Sequence, residues 1–214
     1  MRESSDRQAF DKSYWDQHWR GDPSGAPAAM PGGPPNPHLV REIDDLRPGT
    51  ALEAGCGAGA EALWLAARGW QVTGVDIAAE ALARAAERAN ATGVADRVQW
   101  VNADLTMWAP STTYDLVTTH YAHAAMPQLE FYHRVSSWVS PGGTLLIAGH
   151  LDHDQWHGDA GPSTETLVTA AGITARLDPA EWEVATAEEF HRTVASHCGA
   201  RTLHDVVVRA IRRR

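Results

Sequence analysis

The chain has 214 residues, the length of one domain with a substantial core, and its 43% hydrophobic and 21% charged content excludes wholesale disorder. A formal net charge of −9 argues against a nucleic-acid surface, which needs a basic patch. No apolar run approaches the roughly 20 residues of a membrane span and no signal-peptide core follows Met1, so the expectation is a cytoplasmic protein with neither membrane nor nucleic-acid partner.

Residues 1–9 are polar. From Phe10 to Trp19, Tyr14, Trp15, His18 and Trp19 fall on adjacent positions of one helical face. Such a face docks a helix on the core. Gly21 to Pro37 holds half of the 12 prolines, a density that no helix or central strand tolerates. Residues 10–37 therefore read as a helix followed by a loop, within a single domain spanning 1–214. Asn36-Pro37 opens a helix to about Leu46, and Pro48-Gly49 feeds a first strand.

Next comes Thr50-Ala51-Leu52-Glu53-Ala54-Gly55-Cys56-Gly57-Ala58-Gly59, a strand entering three glycines at alternate positions. A helix over Ala60–Arg68 follows, then a strand over Gln71–Asp76 ending on a carboxylate. Glycines let the backbone approach a ligand. The helix N-terminus turns its free N–H groups toward that ligand, and a strand-end acid accepts from a ribose diol. This pattern predicts an adenosine-containing cofactor. Gly55-x-Gly57-x-x-Ala60 also fits a dinucleotide fingerprint. However, Glu53 would face a pyrophosphate there, and a carboxylate suits a cationic ligand such as S-adenosylmethionine (SAM) better. Lys12 is the only lysine, so a Tyr-x-x-x-Lys reductase centre has no place in the body of the chain.

The alanine-rich run Ala78–Ala91 predicts a strong helix, stopped near Asn90 and Gly93. Strands follow at Val98–Val101, Asp115–Thr119 and Thr144–Ala148, with a helix opened by Pro127 between the last two. His150–Pro162 reads as a polar loop and Thr169–Leu177 as a helix. Trp182–Val194 and His204–Ile211 form two strands, antiparallel because the turn around Ser196–Gly199 is short. The alternation predicts a doubly wound, Rossmann-like α/β fold with right-handed crossovers.

Glu53-Ala-Gly55-Cys-Gly57-Ala-Gly59 resembles motif I of the class I SAM-dependent methyltransferases. Asp76, Asn102-Ala103-Asp104, Tyr114-Asp115-Leu116-Val117 and Pro141-Gly142-Gly143 resemble that family's later strand-end motifs, over roughly residues 10–212. Tyr14-Trp15-x-x-x-Trp19 and Arg68-Gly69-Trp70 look like its small-molecule branch, which contains tellurite- and thiopurine-methylating enzymes. The resemblance implies a seven-stranded, mostly parallel sheet with an antiparallel last strand. It also implies S-adenosylhomocysteine as product, and Trp15 and Trp19 as a lid over the cofactor.

Ligands of open α/β sheets bind beyond the strand carboxyl ends, at the switch in strand order. That gathers Glu53, Gly55, Cys56, Gly57, Gly59, Asp76, Ile77, Asp104, Leu105 and Thr119–His123. Asp76 is expected on the ribose and Asp104 on the adenine amino group (or capping a turn), with Ile77 and Leu105 flanking the ring. His120 is the first candidate for a catalytic base and His123 the second, with Tyr121 pointing elsewhere; the other reading has His120 packing against the cofactor. Cys56 is expected reduced and structural. His150, His153 and His157 with neighbouring aspartates could hold a metal, but a His-rich polar loop is the expected reading. Lysine-poor, alanine-rich usage suggests a bacterial source. The substrate is expected to be a small, aromatic or heteroatom-bearing molecule. A SAM-binding module without transfer activity and an NAD(P)-dependent oxidoreductase are the alternatives, and oligomeric state is not legible.

Overall fold

The computed structural model describes residues 10–20, 33–150, 168–196 and 199–214. The expected loop over 21–32, His153, His157 and most of the 150–162 loop, and the centre of the turn between the last two strands lie outside the described residues.

Helix α1 spans Lys12–Arg20 and α2 spans Pro37–Ile43. The Asn36 side chain caps α2 by accepting from the His38 N–H at 2.8 Å, with Pro37 in the first turn. Strand β1 (Thr50–Ala54) leads to α3 (Ala60–Ala67), β2 (Gln71–Asp76), α4 (Ala79–Thr92), β3 (Val98–Asn102) and β4 (Tyr114–His120). Then come α5 (Gln128–Ser136), β5 (Val139–His150), α6 (Ala170–Thr174), β6 (Trp182–Ser196) and β7 (Gly199–Arg212).

The seven strands run in the order β3-β2-β1-β4-β5-β7-β6. The first five are parallel neighbours, whereas β7 lies antiparallel between β5 and β6. The expected mostly parallel, seven-stranded sheet with an inserted antiparallel last strand is thus what the chain forms. The order reverses between β1 and β4, which opens a crevice at their carboxyl ends.

Apolar residues alternate across the sheet because successive side chains point to opposite faces. Leu145, Ile147, Val206 and Val208 join Phe131, Val135 and Ile173 on the α5–α6 face. Leu146 and Val207 join Leu39, Ile43, Leu63 and Leu65 on the other. Helices on both faces leave β1 and β2 buried from their second residue onward.

Several boundaries differ from expectation; β7, for one, starts at Gly199 rather than His204. Strand β5 starts at Val139 rather than Thr144, because Val139 pairs with Tyr114 and Thr144 with Leu116; the Pro141–Gly143 turn is a bulge inside the strand. Helix α2 stops at Ile43, where Leu46 N–H turns back to the Ile43 carbonyl at 3.0 Å. Helix α6 stops at Thr174, where Leu177 N–H bonds the Thr174 carbonyl at 3.0 Å. Both ends tighten into three-residue turns.

Gly74, in the middle of β2, lies against the Trp100 ring: a Cβ there would come within 2.6 Å of it and 3.1 Å of Cys56 Sγ. Gly74→Ala is therefore expected to overpack the junction and lower stability by about 1–3 kcal/mol, measured by urea denaturation.

Candidate active site

The loop after β1 takes its shape from two glycines. Gly55 and Gly57 have φ of +76° and +48°, values that L-residues with a Cβ rarely adopt. A Cβ on Gly55 would run into the Ala122 methyl group, and one on Gly57 would meet the Trp19 ring at 2.9 Å. The backbones of the loop, of the segment after β4 and of α1 thus close on one another. Gly55 and Cys56 N–H groups bond the Val75 carbonyl at 2.9 and 3.0 Å, which ties the loop to β2.

Asp76 ends β2 and is buried. Its carboxylate accepts from the Gly57 N–H at 2.8 Å and the Ala78 N–H at 2.9 Å. Burial pushes this carboxyl above its ordinary value, and the two N–H bonds partly offset that. Asn102 donates to the Asp76 and Ile77 carbonyls at 3.1 and 2.9 Å and so fixes the turn out of β2. Asp104 accepts from the Thr106 N–H and hydroxyl at 2.8 and 2.7 Å through a single oxygen, Oδ1.

At the crevice lies a pocket that opens to solvent. It brings together Trp15, Trp19, Gly55, Gly57, Asp76, Ile77, Asp104, Leu105, His120 and His123 of the residues expected from sequence. The remaining four expected residues do not line it. Glu53 is 1% exposed and turned to His120. Cys56 is buried near Gly74, where burial pushes its thiol well above its ordinary value. Gly59 packs on Trp100, and the Thr119 hydroxyl bonds the Ala54 carbonyl at 2.9 Å.

Sequence reasoning missed Phe10, Tyr121 and Phe131, which also line the pocket. Tyr121, expected to point elsewhere, has a φ of +53°; that turn off β4 places it at the pocket, and no spacing rule announces it. Phe10 precedes the helix and stacks on His123 at 5.0 Å. Its place in the aromatic-rich segment was the one available signal.

Helix α1 seals one side. Trp15 Nε1 donates to the His123 carbonyl at 3.1 Å, and the Trp19 carbonyl accepts from Arg84 at 2.7 Å. Trp19 is itself buried among Ala58, Ala78 and Ala81. The helix therefore docks on the core and borders the pocket.

Beneath the pocket, His120 Nδ1 lies 3.0 Å from Glu53 Oε1 and 3.3 Å from the Thr118 hydroxyl. Glu53 Oε2 and His120 Nε2 are both enclosed without a hydrogen-bond partner. Burial alone would lower the His120 value, but the Glu53 carboxylate outweighs it and leaves the imidazole raised. Burial raises Glu53 in turn, against the opposing effect of His120. His123 is held by Gln128 Oε1 at 3.0 Å from its Nδ1.

The donor set fits SAM. Two carboxylates, an apolar slot formed by Ile77 and Leu105, exposed glycine backbone and an orphaned oxygen on buried Glu53 suit an adenosine carrying a cationic side chain. Among the described residues no three His, Cys, Asp or Glu side chains form a group able to hold a metal.

Residues 51–143 match a methyltransferase domain family. A ribosomal RNA small subunit methyltransferase C of Alcanivorax borkumensis is 31% identical over 53% of this chain and 37% of that protein. A trans-aconitate 2-methyltransferase of Streptomyces avermitilis is 30% identical over 59% of this chain and 54% of that protein. The chain thus spans between about a third and a half of these two relatives. A structure solved in work on the conversion of a disulfide bond into a thioacetal group during echinomycin biosynthesis superposes with a TM-score of 0.69 at 22% identity, covering 94% of this chain and 93% of that one. The glycine loop, the strand order and the domain match over residues 51–143 all resemble the class I SAM-dependent methyltransferases.

Proposed function

We propose that this protein transfers a methyl group from SAM to a heteroatom (O, N or S) of a small molecule, releasing S-adenosylhomocysteine. The carrying observation is the pocket at the β1–β4 crevice, where the glycine loop, Asp76 and Asp104 converge beneath Trp15 and Trp19. Its aromatic wall of Phe10, Trp15, Trp19 and Phe131 suits a small aromatic acceptor. The negative net charge favours such an acceptor over nucleic acid. A single domain over 1–214, in a bacterial cytoplasm, completes the reading.

SAM brings an activated methyl group; the chain supplies alignment and exclusion of water. Asp76 and the glycine-loop backbone would hold the ribose and methionine moieties, and Asp104, Ile77 and Leu105 the adenine. The Glu53–His120 pair sits under the site as a near-neutral unit. The His120 side chain is 3% exposed with Nδ1 engaged by Glu53, so it serves as the charge partner of Glu53 rather than as a base that solvent-borne substrates reach. His123, stacked on Phe10 and held by Gln128, shapes the acceptor side.

Calorimetric binding of S-adenosylhomocysteine, with turnover across a panel of small phenols, amines and thiols, tests the reading. Binding without turnover on any acceptor would favour a regulatory SAM-binding module. Stabilisation by NAD(P) but not by SAM would overturn both in favour of an oxidoreductase.

Three variants sharpen it. Asp76→Ala is expected to weaken S-adenosylhomocysteine binding by about 1.5–3 kcal/mol, the worth of a hydrogen bond to a charged group. The melting temperature of the free protein separates this from a collapsed loop.

His120→Ala strands a buried carboxylate and is expected to lower stability by about 3–5 kcal/mol at pH 7, read by urea denaturation. The pH dependence follows from the raised imidazole. In the parent, its stabilisation is fully present below the ordinary value of about 6.5 and is lost as pH climbs through the raised folded-state value. The deficit of the variant shrinks in acid, where the lone Glu53 takes up a proton.

Removing residues through Trp19 opens the wall that packs on Gly57. It is expected to raise KM or abolish turnover while the far-UV circular dichroism of the sheet persists; unchanged kinetics would show that α1 is no lid.

A further inference from the structure

Charge is unevenly distributed around the pocket. Its lining holds two carboxylates, Asp76 and Asp104, and among the described residues no lysine or arginine. Two histidines also line it. His120 lies 3.0 Å from the Glu53 carboxylate, whose charge offsets any on its imidazole. His123 Nδ1 is engaged by Gln128 Oε1 at 3.0 Å, and its ring is stacked on Phe10 with centroids 5.0 Å apart.

Cations do stand near the pocket wall, but they bind backbone carbonyls. Arg84 Nη2 donates to the Trp19 carbonyl at 2.7 Å and Arg88 Nη1 to the Ala58 carbonyl at 2.6 Å. Arg134 donates to the Leu105 and Trp108 carbonyls at 2.8 and 2.9 Å. None of the three lines the pocket. On α1, Lys12 and Arg20 both approach Asp16, at 2.8 and 3.9 Å, with side chains 55% and 71% exposed. The segments that follow α1 and β5 in sequence, residues 21–32 and 151–167, contain neither lysine nor arginine. They do contain Asp22, Asp152, Asp154, Asp159 and Glu165.

An anionic group entering this site would leave water without meeting a counter-ion and would approach two carboxylates, which is strongly unfavourable. An uncharged aromatic ring meets Phe10, Trp15, Tyr121 and Phe131 and loses nothing of that kind. We propose that the pocket selects an aromatic acceptor bearing no carboxylate, phosphate or sulfate group, and rejects the acid form of the same molecule. Charge rather than shape makes the selection. This rests on the methyl-transfer reading and narrows its substrate class.

Acceptor pairs that differ only in a carboxylate and a carboxamide test the assignment, because the two groups match in shape and not in charge. The pairs are built on phenol, aniline and thiophenol, beginning with 4-hydroxybenzoate and 4-hydroxybenzamide. The full-length chain is used, so that Arg2 and Arg7, ahead of the described residues, are present. The amide is expected to exceed the acid in kcat/KM by roughly 10²-fold or more, mostly through KM. Calorimetry with S-adenosylhomocysteine present reads the same preference as binding, without turnover. Ala125 lines the pocket and is exposed. Ala125→Arg is expected to narrow the amide-to-acid ratio by about tenfold or more, and Ala125→Gln to leave it in place; melting temperatures show that both variants fold. An amide that binds no better than its acid, or a ratio that Ala125→Arg does not narrow, overturns the assignment and leaves methyl transfer standing. Absence of turnover on these pairs and on the wider panel of phenols, amines and thiols overturns the methyl-transfer reading and this one with it.

Discussion

The bond between the Gly57 N–H and the Asp76 carboxylate is the constraint on which the site depends. It joins the loop leaving β1 to the end of β2, the neighbour of β1 on the side away from β4. A carboxylate buried at a strand terminus costs free energy unless its lone pairs are satisfied, and two backbone N–H groups do that here. The same bonds hold the loop in its left-handed turns, so the backbone is arranged before a ligand arrives. Preorganisation of this kind spares the entropy of ordering a loop on binding.

A second constraint lies one layer deeper. Glu53 and His120 come from adjacent parallel strands, β1 and β4, and are almost wholly removed from water. Either charge alone in that interior would be strongly unfavourable; together they form a unit of small net charge. Its unfilled valences are Glu53 Oε2 and His120 Nε2, both enclosed. The acid that reads in sequence as a ligand for a cationic cofactor therefore also has a partner within the protein. This division explains why a residue in motif I is turned away from the pocket wall.

The aromatic first helix and the C-terminal hairpin act from opposite sides of the crevice. Trp15 and Trp19 pack against His123 and Gly57, while β7 carries Asp205 beside His150. Inserting the last strand antiparallel between β5 and β6 is what brings residue 205 beside residue 150. A parallel strand in that place would present the opposite end of its sequence at this edge.

Local signals made much of the chain legible. Glycine spacing, strand-end carboxylates, alanine-rich helix propensity and the alternation of strands with helices act over a few residues, and they were enough for the parallel sheet, the cofactor loop and Asp76. The boundaries of β5 and α6 were not legible in the same way, because a bulge opposite Tyr114 and a three-residue turn at Thr174 are set by what pairs with them. The sequence by itself determined the architecture and the glycine loop that borders the pocket, since backbone conformation and apolar periodicity are local properties. Only the tertiary structure decided that Glu53 holds His120, that Thr119 and Cys56 face inward, and that Tyr121 and Asp205 meet at His150. Those relations join residues 29 to 67 positions apart along the chain, or on strands whose neighbours are not consecutive, and side-chain direction there follows from register and packing rather than from residue type.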